Sequence, residues 1–245
     1  MSGEQKGIKV LHVDDVPDFL ALTKAFLERE NVDFGIDTAT SAEEGIELLK
    51  SAKYDVVVSD YKMPVMDGLE FLKTLRASGN TIPFIMFTGK GREEVAIEAL
   101  NRGANHYLQK GTDIKSMYGT LAHVIRAEVA KTRAEDELQE SEEKYRVLIE
   151  NADDVILVAQ DGFLKFVNPK AVEVMVYSKE ELTSRPFVEF IHPDDREMVV
   201  ERHLKRLKGE ELPPVYLFRI IDREGNTKWL EIRAALIAWE GRPAL

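Results

Sequence analysis

Between Ile8 and Leu108 five short apolar runs alternate with longer amphipathic stretches. A run of four to eight apolar residues reads as a strand buried on both faces, and an amphipathic stretch of ten or more as its covering helix. Strands are expected at Ile8–Val13, Asp33–Ala39, Tyr54–Ser59, Ile82–Phe87 and His106–Leu108, with helices at about 16–30, 41–52, 67–77 and 91–102. The second helix opens on Ser41-Ala42-Glu43-Glu44, a serine N-cap with an acidic first turn. Strands interleaved with helices make a doubly wound α/β domain with a five-stranded parallel sheet. Ligands of such sheets bind outside the carboxyl ends of the strands, so the polar residues there carry the functional question.

Those residues are Asp14-Asp15 after the first strand, Asp60 after the third, Thr88 at the end of the fourth and Lys110 after the fifth. Three carboxylates at one rim repel unless a cation joins them. A hard ion such as Mg²⁺ suits them, because it is commonly held by one or two carboxylates with water and substrate phosphate filling the octahedron. Acids, a metal, a hydroxyl and an ammonium around one acidic oxygen suit phosphoryl transfer to a carboxylate, in which positioning and charge neutralisation dominate.

Residues 8–125 resemble the receiver domain of two-component response regulators, a flavodoxin-like fold. The resemblance rests on Asp14-Asp15, Asp60, the loop Met63-Pro64-Val65-Met66-Asp67-Gly68, Thr88, Tyr107 and Lys110. It implies that Asp60 is the phosphoacceptor, that Asp15 and Asp60 ligate Mg²⁺ directly with Asp14 helping through water, and that the Lys62 backbone carbonyl is a further ligand. It also implies that Thr88 and Lys110 contact the phosphoryl oxygens, and that Thr88 and the aromatic Tyr107 form the switch. A sensor histidine kinase is the implied partner.

The sequence departs from the family in two places. Gly111 follows Lys110 where the family commonly has proline after a cis bond, and a cis bond before a non-proline residue costs about 2.5–4 kcal/mol. Gly89 replaces the usual alanine after Thr88 and is followed by Lys90, whose effect on phosphoryl lifetime the sequence leaves open. Taken singly, Asp14 and Asp15 read as a helix cap, Asp60 as a loop acid and Lys110 as a surface lysine; together at four strand ends they do not. Thr88-Gly89-Lys90-Gly91 has the look of a dinucleotide loop, but Glu94 stands where its third glycine belongs and would oppose a pyrophosphate.

From Asp113 to Ile149 there is no proline, and apolar residues at Ile114, Met117, Leu121, Val124, Ile125 and Val129 keep a helical stripe. One long helix is expected, its stripe thinning to Leu138, Tyr145 and Leu148; a polar helix of this length either pairs with a partner helix or packs on the domains at its ends, and a homodimer through residues 113–149 is the expectation favoured over a solvated connector. The domains are therefore bounded at 1–125, 126–149 for the helical linker and 150–245.

From Asp154 the texture changes to short alternating segments at Val155–Ala159, Leu164–Val167, Val215–Asp222 and Lys228–Ala238, with turn signals at Asp161-Gly162 and Glu224-Gly225-Asn226. Helices at about 169–177 and 194–207 complete an α+β domain on an antiparallel sheet. Residues 141–245 resemble a PAS domain through Tyr145–Ala152, Val167-Asn168-Pro169-Lys170-Ala171, His192-Pro193-Asp194-Asp195-Arg196 and the hairpin around Asp222–Asn226. The resemblance implies a sensor or interaction module able to enclose a small ligand, whose identity the sequence does not name. Ile156, Phe166, Met175, Phe187 and Phe190 read as plain core, His192 as the start of a helix before Pro193 rather than a haem ligand, and His203 likewise as no haem ligand, so no PAS cofactor is expected. Cysteine is absent, which excludes flavin-cysteine photochemistry, disulfides and thiolate metal sites.

Acidic residues outnumber basic ones 44 to 33, for a net charge of −11, which disfavours direct nucleic-acid binding. No stretch approaches the roughly 18 apolar residues of a membrane span, and the N-terminus has no signal core, so a cytoplasmic protein is expected. The whole is expected to be a phosphorelay protein in which the receiver signals through the linker to the PAS unit. Because the sequence stops within or just before a last strand, it reads as a fragment of a longer regulator or hybrid histidine kinase. Two other readings remain, an interaction scaffold and an aspartate-nucleophile phosphatase, the latter lacking its Asp-x-Asp signature because Lys62 stands at the second position. Within these residues no kinase is expected, since His123 lacks the acidic neighbour and proline of a phosphoacceptor-histidine helix.

Overall fold

The computed structural model describes residues 7–30, 33–89 and 93–245. Its contacts divide into two compact units with the boundary between Leu138 and Gln139.

In the first unit β1 (Ile8–Val13), β2 (Phe34–Ala39), β3 (Val56–Ser59), β4 (Phe84–Thr88) and β5 (His106–Gln109) form one parallel sheet in the order β2-β1-β3-β4-β5. This is the expected doubly wound, flavodoxin-like sheet. β4 starts at Phe84, two residues later than expected, because Pro83 has no N–H for the ladder and contributes only its carbonyl, 2.8 Å from the Val57 N–H. The helices are α1 (Pro17–Glu30), α2 (Ala42–Ser51), α3 (Gly68–Ala77), α4 (Glu93–Asn101) and α5 (Ile114–Glu150). Ser41 caps α2 as anticipated, accepting from the Glu44 N–H.

The sheet separates two apolar layers. On one face Val10, Ile36, Val58 and Ile85 pack with Leu27 of α1 and with Tyr118, Leu121 and Ile125 of α5. On the other, Leu11, Val57, Phe84 and Met86 pack with Ala42 of α2, Phe71 and Leu72 of α3 and Ala99 of α4. Because the chain steps from β1 out to β2 and back to β3, the loops after β1 and β3 part to opposite sides of the sheet and leave a crevice between them.

Helix α5 is continuous over 37 residues, about 55 Å at 1.5 Å per residue. Its first half is anchored by the buried Tyr118, Leu121, Ile125 and Val129, whereas Leu138, Tyr145 and Leu148 are 61%, 66% and 68% exposed.

The second unit contains α6 (Pro169–Met175), α7 (Lys179–Ser184), α8 (Arg196–Leu207) and antiparallel pairs of β6 (Leu157–Gln160) with β7 (Phe163–Val167), β8 (Val215–Ile221) with β9 (Thr227–Arg233), and β10 (Ile237–Trp239) with β11 (Arg242–Ala244). The Ala159 and Leu245 backbones exchange hydrogen bonds at 2.6 and 3.0 Å, tying the first pair to the third. Asp161 and Gly162 (φ 54° and 82°) make the expected two-residue primed turn, and Glu240-Gly241 (φ 49° and 73°) makes another. The strand expected over Lys228–Ala238 is broken after Arg233 into β9 and β10, and α7 was not foreseen; Ser178 and Glu181 close it with a reciprocal capping box. Leu164, Ala171, Met175, Phe190, Phe218 and Ile220 form this unit's core.

Candidate functional site

Asp60 follows β3 directly, its N–H bonded to the Val13 carbonyl at 2.8 Å, so the last turn of the ladder fixes its backbone. Its side chain is buried, with Oδ2 accepting from the Lys62 N–H at 2.7 Å. Asp14, at the end of β1, is also buried; Oδ1 accepts from the Val16 N–H at 3.0 Å and so does the work of the helix-entry cap considered from the sequence. That leaves Asp14 Oδ2 and Asp60 Oδ1, and the Lys110 ammonium bridges them at 2.6 Å to each. Two buried carboxylates share one cation, so removal of Lys110 would leave both carboxylates buried and uncompensated, whereas removal of either carboxylate leaves one matched ion pair.

Lys110 reaches this position from the loop after β5, held by its N–H to the Thr88 carbonyl at 2.8 Å and by its ammonium 4.2 Å from the centre of the Phe19 ring. The Lys110–Gly111 peptide is trans, and the missing proline does not displace the ammonium. Thr88 is buried at the end of β4, beside this loop. Tyr107 has a buried hydroxyl without a hydrogen-bond partner, and burial, then the charges of Asp60 and Tyr61, push its phenol pKa up. Asp15 is exposed. Among the described residues no group of three or more His, Asp or Glu side chains is drawn together as a metal nest; Asp14 and Asp60 converge with Lys110 between them, and Asp15 stands outside. Lys90 and Gly91, weighed from the sequence, lie outside the described residues.

The loop Met63–Gly68 has a steric logic of its own. Gly68 begins α3 under the Asp67 N-cap, and a Cβ there would collide with the Asp60 carbonyl oxygen and stand 2.9 Å from Met86 Sδ. A glycine is thus required by close approach, and it locks α3 against the backbone of Asp60. Val65, by contrast, is left-handed (φ 67°) and 95% exposed.

Two residues of this site were not singled out from the sequence. Phe19 looks like ordinary core until its ring is seen beneath Lys110. His12 lies wholly buried on β1, edge-on to Phe19 at 6.0 Å, with neither ring nitrogen hydrogen-bonded; burial and then the Lys110 charge lower it to about 3, so it is neutral near pH 7. A histidine in an alternating apolar strand carries no signal of that kind.

In the second unit His192 accepts from the Asp194 N–H at 3.4 Å and caps the short turn Pro193–Asp195. Asn168 is fully buried and uses every polar atom: Oδ1 accepts from the Ile156 and Ala171 N–H groups at 2.9 and 3.1 Å, and Nδ2 donates to the Asp154 and Ile149 carbonyls at 2.9 and 3.3 Å. That is the physical content of the Asn168-Pro169 motif. Of the five residues read as plain core, Phe166 lies tilted against Trp239, ring centres 6.2 Å apart, while Ile156, Met175, Phe187 and Phe190 also line a cavity.

Comparison with known proteins supplies independent findings. The response regulator receiver domain family matches residues 10–122, and a PAS fold family matches residues 164–245. The chain is similar to transcriptional regulatory protein SrrA of Staphylococcus aureus, 28% identical over 214 residues that cover 82% of this chain and 85% of that one. Among solved structures it is similar to chemotaxis response regulator CheY4 of Vibrio cholerae, with 30% identity, 48% of this chain and 98% of that chain covered and a TM-score of 0.43. The response regulator TrrA of Thermotoga maritima, in complex with Mg²⁺ and BeF, is 27% identical over 46% of this chain and 96% of that one, with a TM-score of 0.41. Residues 10–122 are therefore a response regulator receiver domain and residues 164–245 a PAS fold, which places the chain in two-component signalling.

Proposed function

We propose that Asp60 accepts a phosphoryl group from a partner histidine kinase and that the change is passed through α5 to the PAS unit. The observation that carries this reading is the sharing of one ammonium, Lys110, by the buried carboxylates of Asp14 and Asp60 at the switch point of the sheet. In the transfer a carboxylate oxygen of Asp60 bonds to phosphorus as the bond from phosphorus to the donor imidazole nitrogen breaks, and the imidazole leaves with its electron pair. Lys110 offsets the charge gathered on the phosphoryl oxygens, Thr88 donates its hydroxyl to one of them, and the Lys62 N–H holds the far oxygen of Asp60 so that the carboxylate cannot rotate away.

Asp14, Asp15, Asp60 and the Lys62 carbonyl are hard oxygen donors of the kind Mg²⁺ takes, and Asp15, exposed and outside the group of Asp14, Lys110 and Asp60, would have to turn in to join the two buried carboxylates on the ion. Mg²⁺ bound there would supply a second positive charge to the transferring group. Movement of Thr88 toward the phosphate frees space for Tyr107, whose hydroxyl is buried without a partner. The exposed Leu138, Tyr145 and Leu148, at heptad-compatible spacing, support a homodimer through residues 113–149. The domains are taken as 1–125, 126–149 and 150–245, working in the cytoplasm; the net charge of −11 does not support direct DNA contact by these residues, although SrrA is a transcriptional regulatory protein.

Intact-mass measurement after incubation with acetyl phosphate and Mg²⁺ tests the reading. A labile phosphoryl adduct on the unaltered protein, absent from Asp60→Asn and without Mg²⁺, is expected. Equal labelling of both, or no adduct together with no response to beryllofluoride, overturns it.

A further inference from the structure

The PAS unit carries a half-open cavity of about 940 Å³, within the size range of small-ligand pockets. Most of its wall is apolar, from Leu164, Met175, Phe190, Phe218, Leu230 and others of the same character, as expected of a binding site rather than a water-filled defect. One part of the wall is not. Arg206 of α8 lines the cavity and is 7% exposed, and no carboxylate among the described residues forms an ion pair with it. Its Nη2 donates to the Pro213 carbonyl at 2.5 Å, and its guanidinium lies 5.1 Å from the centre of the Tyr216 ring, which also lines the cavity.

A second guanidinium deepens the imbalance. Arg202, one turn earlier on α8, stands 4.6 Å from the same ring, and its Nη1 is buried without any hydrogen-bond partner. The nearby acid on that helix, Glu201, is already paired with Lys205 at 2.7 Å. Asp153, Asp154 and Glu231 also line the cavity, as does Arg233, but all four are exposed and keep their hydration. His203 borders it beside Phe187, and its burial together with the Arg206 charge keeps the imidazole neutral near pH 7, so it adds no compensating group. Two cations against one aromatic ring, one of them buried on a cavity wall with only the neutral Pro213 carbonyl and the Tyr216 side chain as partners, is an electrostatic deficit. Folded proteins normally settle such a charge with an anion, because a buried unpaired charge is costly.

We propose that this cavity binds a small organic carboxylate, its apolar body among the core side chains and its carboxylate against Arg206 and the Tyr216 hydroxyl. The proposal rests on reading the PAS unit as a ligand-binding module and gives that ligand a chemical class; it is independent of phosphorylation at Asp60.

The test is isothermal titration of the whole chain with naphthalene-2-carboxylate and with naphthalene-2-carboxamide, a neutral molecule of nearly the same shape. The acid is expected to bind at least about tenfold more tightly than the amide, the range of a charge-assisted hydrogen bond, and Arg206→Met should bring the ratio to about one while amide binding persists. Ala159→Met, which adds bulk to the cavity wall, should weaken both ligands alike and so places them there even if Arg206→Met fails to fold. Equal binding of acid and amide to the unaltered protein, or a preference that survives in a folded Arg206→Met, overturns the carboxylate assignment and leaves the cavity as a neutral site. Binding of neither overturns both the assignment and the ligand-binding reading on which it rests.

Discussion

Replacing Gly68 with alanine sets two effects of known size against each other. Gly68 does not use a left-handed backbone, so as the first residue of α3 it should gain by the change, by up to about 1 kcal/mol on helix propensity. The new methyl, however, would overlap the Asp60 carbonyl oxygen and lie 2.9 Å from Met86 Sδ and 3.1 Å from Tyr61 Cα. Met86 can yield, but the Asp60 and Tyr61 backbone cannot yield without disturbing the end of β3. Overpacking of this kind costs about 1–3 kcal/mol, and a collision with backbone belongs at the upper end. The net expectation is a loss of about 2 kcal/mol, or about 1 M in the urea midpoint for a slope near 2 kcal/mol/M.

The chain provides its own reference for this measurement. Its two tryptophans, Trp229 and Trp239, are both in the PAS unit, so tryptophan fluorescence follows that unit while far-UV circular dichroism follows both. Gly68→Ala should lower the dichroism transition that fluorescence does not see, and should slow labelling by acetyl phosphate because the displaced carbonyl belongs to Asp60 itself. An unchanged or raised receiver midpoint would refute the steric argument, since propensity would then have outweighed contact.

Three further outcomes follow from the same structure. Val65→Asn should stabilise the receiver by about 0.5–1 kcal/mol in urea titration, because a β-branched residue pays about 1–2 kcal/mol in the left-handed region that asparagine tolerates better; an unchanged midpoint would contradict it. Asn168→Ala should cost the PAS unit about 2 kcal/mol by tryptophan-monitored unfolding, since it takes the side-chain partner from the Ile156 N–H and the Asp154 carbonyl, while the Ala171 N–H keeps the Asn168 carbonyl at 3.1 Å, and a loss under 1 kcal/mol would show water replacing the amide. Asp195 is held at about 2, first by the Arg219 side chain and then by the Arg219 N–H, which donates at 2.7 Å. A folded value below the unfolded one of about 3.9 means stability that is complete above about pH 4 and lost as pH falls toward 2. Asp195→Asn should therefore flatten the acid limb of the PAS-unit stability profile, and an unaltered limb would rule this pair out as its source.

The sequence carried the first unit almost entirely, because five apolar runs at parallel-sheet spacing leave few alternatives and because strand-end residues converge in any doubly wound sheet. Asp14, Asp60 and Lys110 could be placed at one rim without coordinates for that reason. What could not be read was the third dimension of side chains that looked ordinary: Phe19 under the ammonium, His12 neutral in the core, Gly68 pressed on a carbonyl. In the second unit the turn residues of the hairpins were visible, whereas the break between β9 and β10 was not, since Ala234-Ala235-Leu236 continues an apolar pattern with no glycine or proline to interrupt it. Arg206 and Tyr216 gave no hint of a shared cavity, because the segment between them leaves no periodicity to relate one to the other.

The outward Val65 has a practical corollary. The chain has no cysteine, so Val65→Cys would carry its sole thiol, on a position 95% exposed within the loop whose one end binds the Asp60 carboxylate and whose other abuts the Asp60 carbonyl. A fluorophore attached there stands in water at both ends of any rearrangement, outside the acidic crevice, yet its backbone is tethered to both sides of the phosphoacceptor. Occupancy of Asp60 could then be followed in real time on the intact chain, with the label's tumbling rather than a radioactive phosphate as the signal.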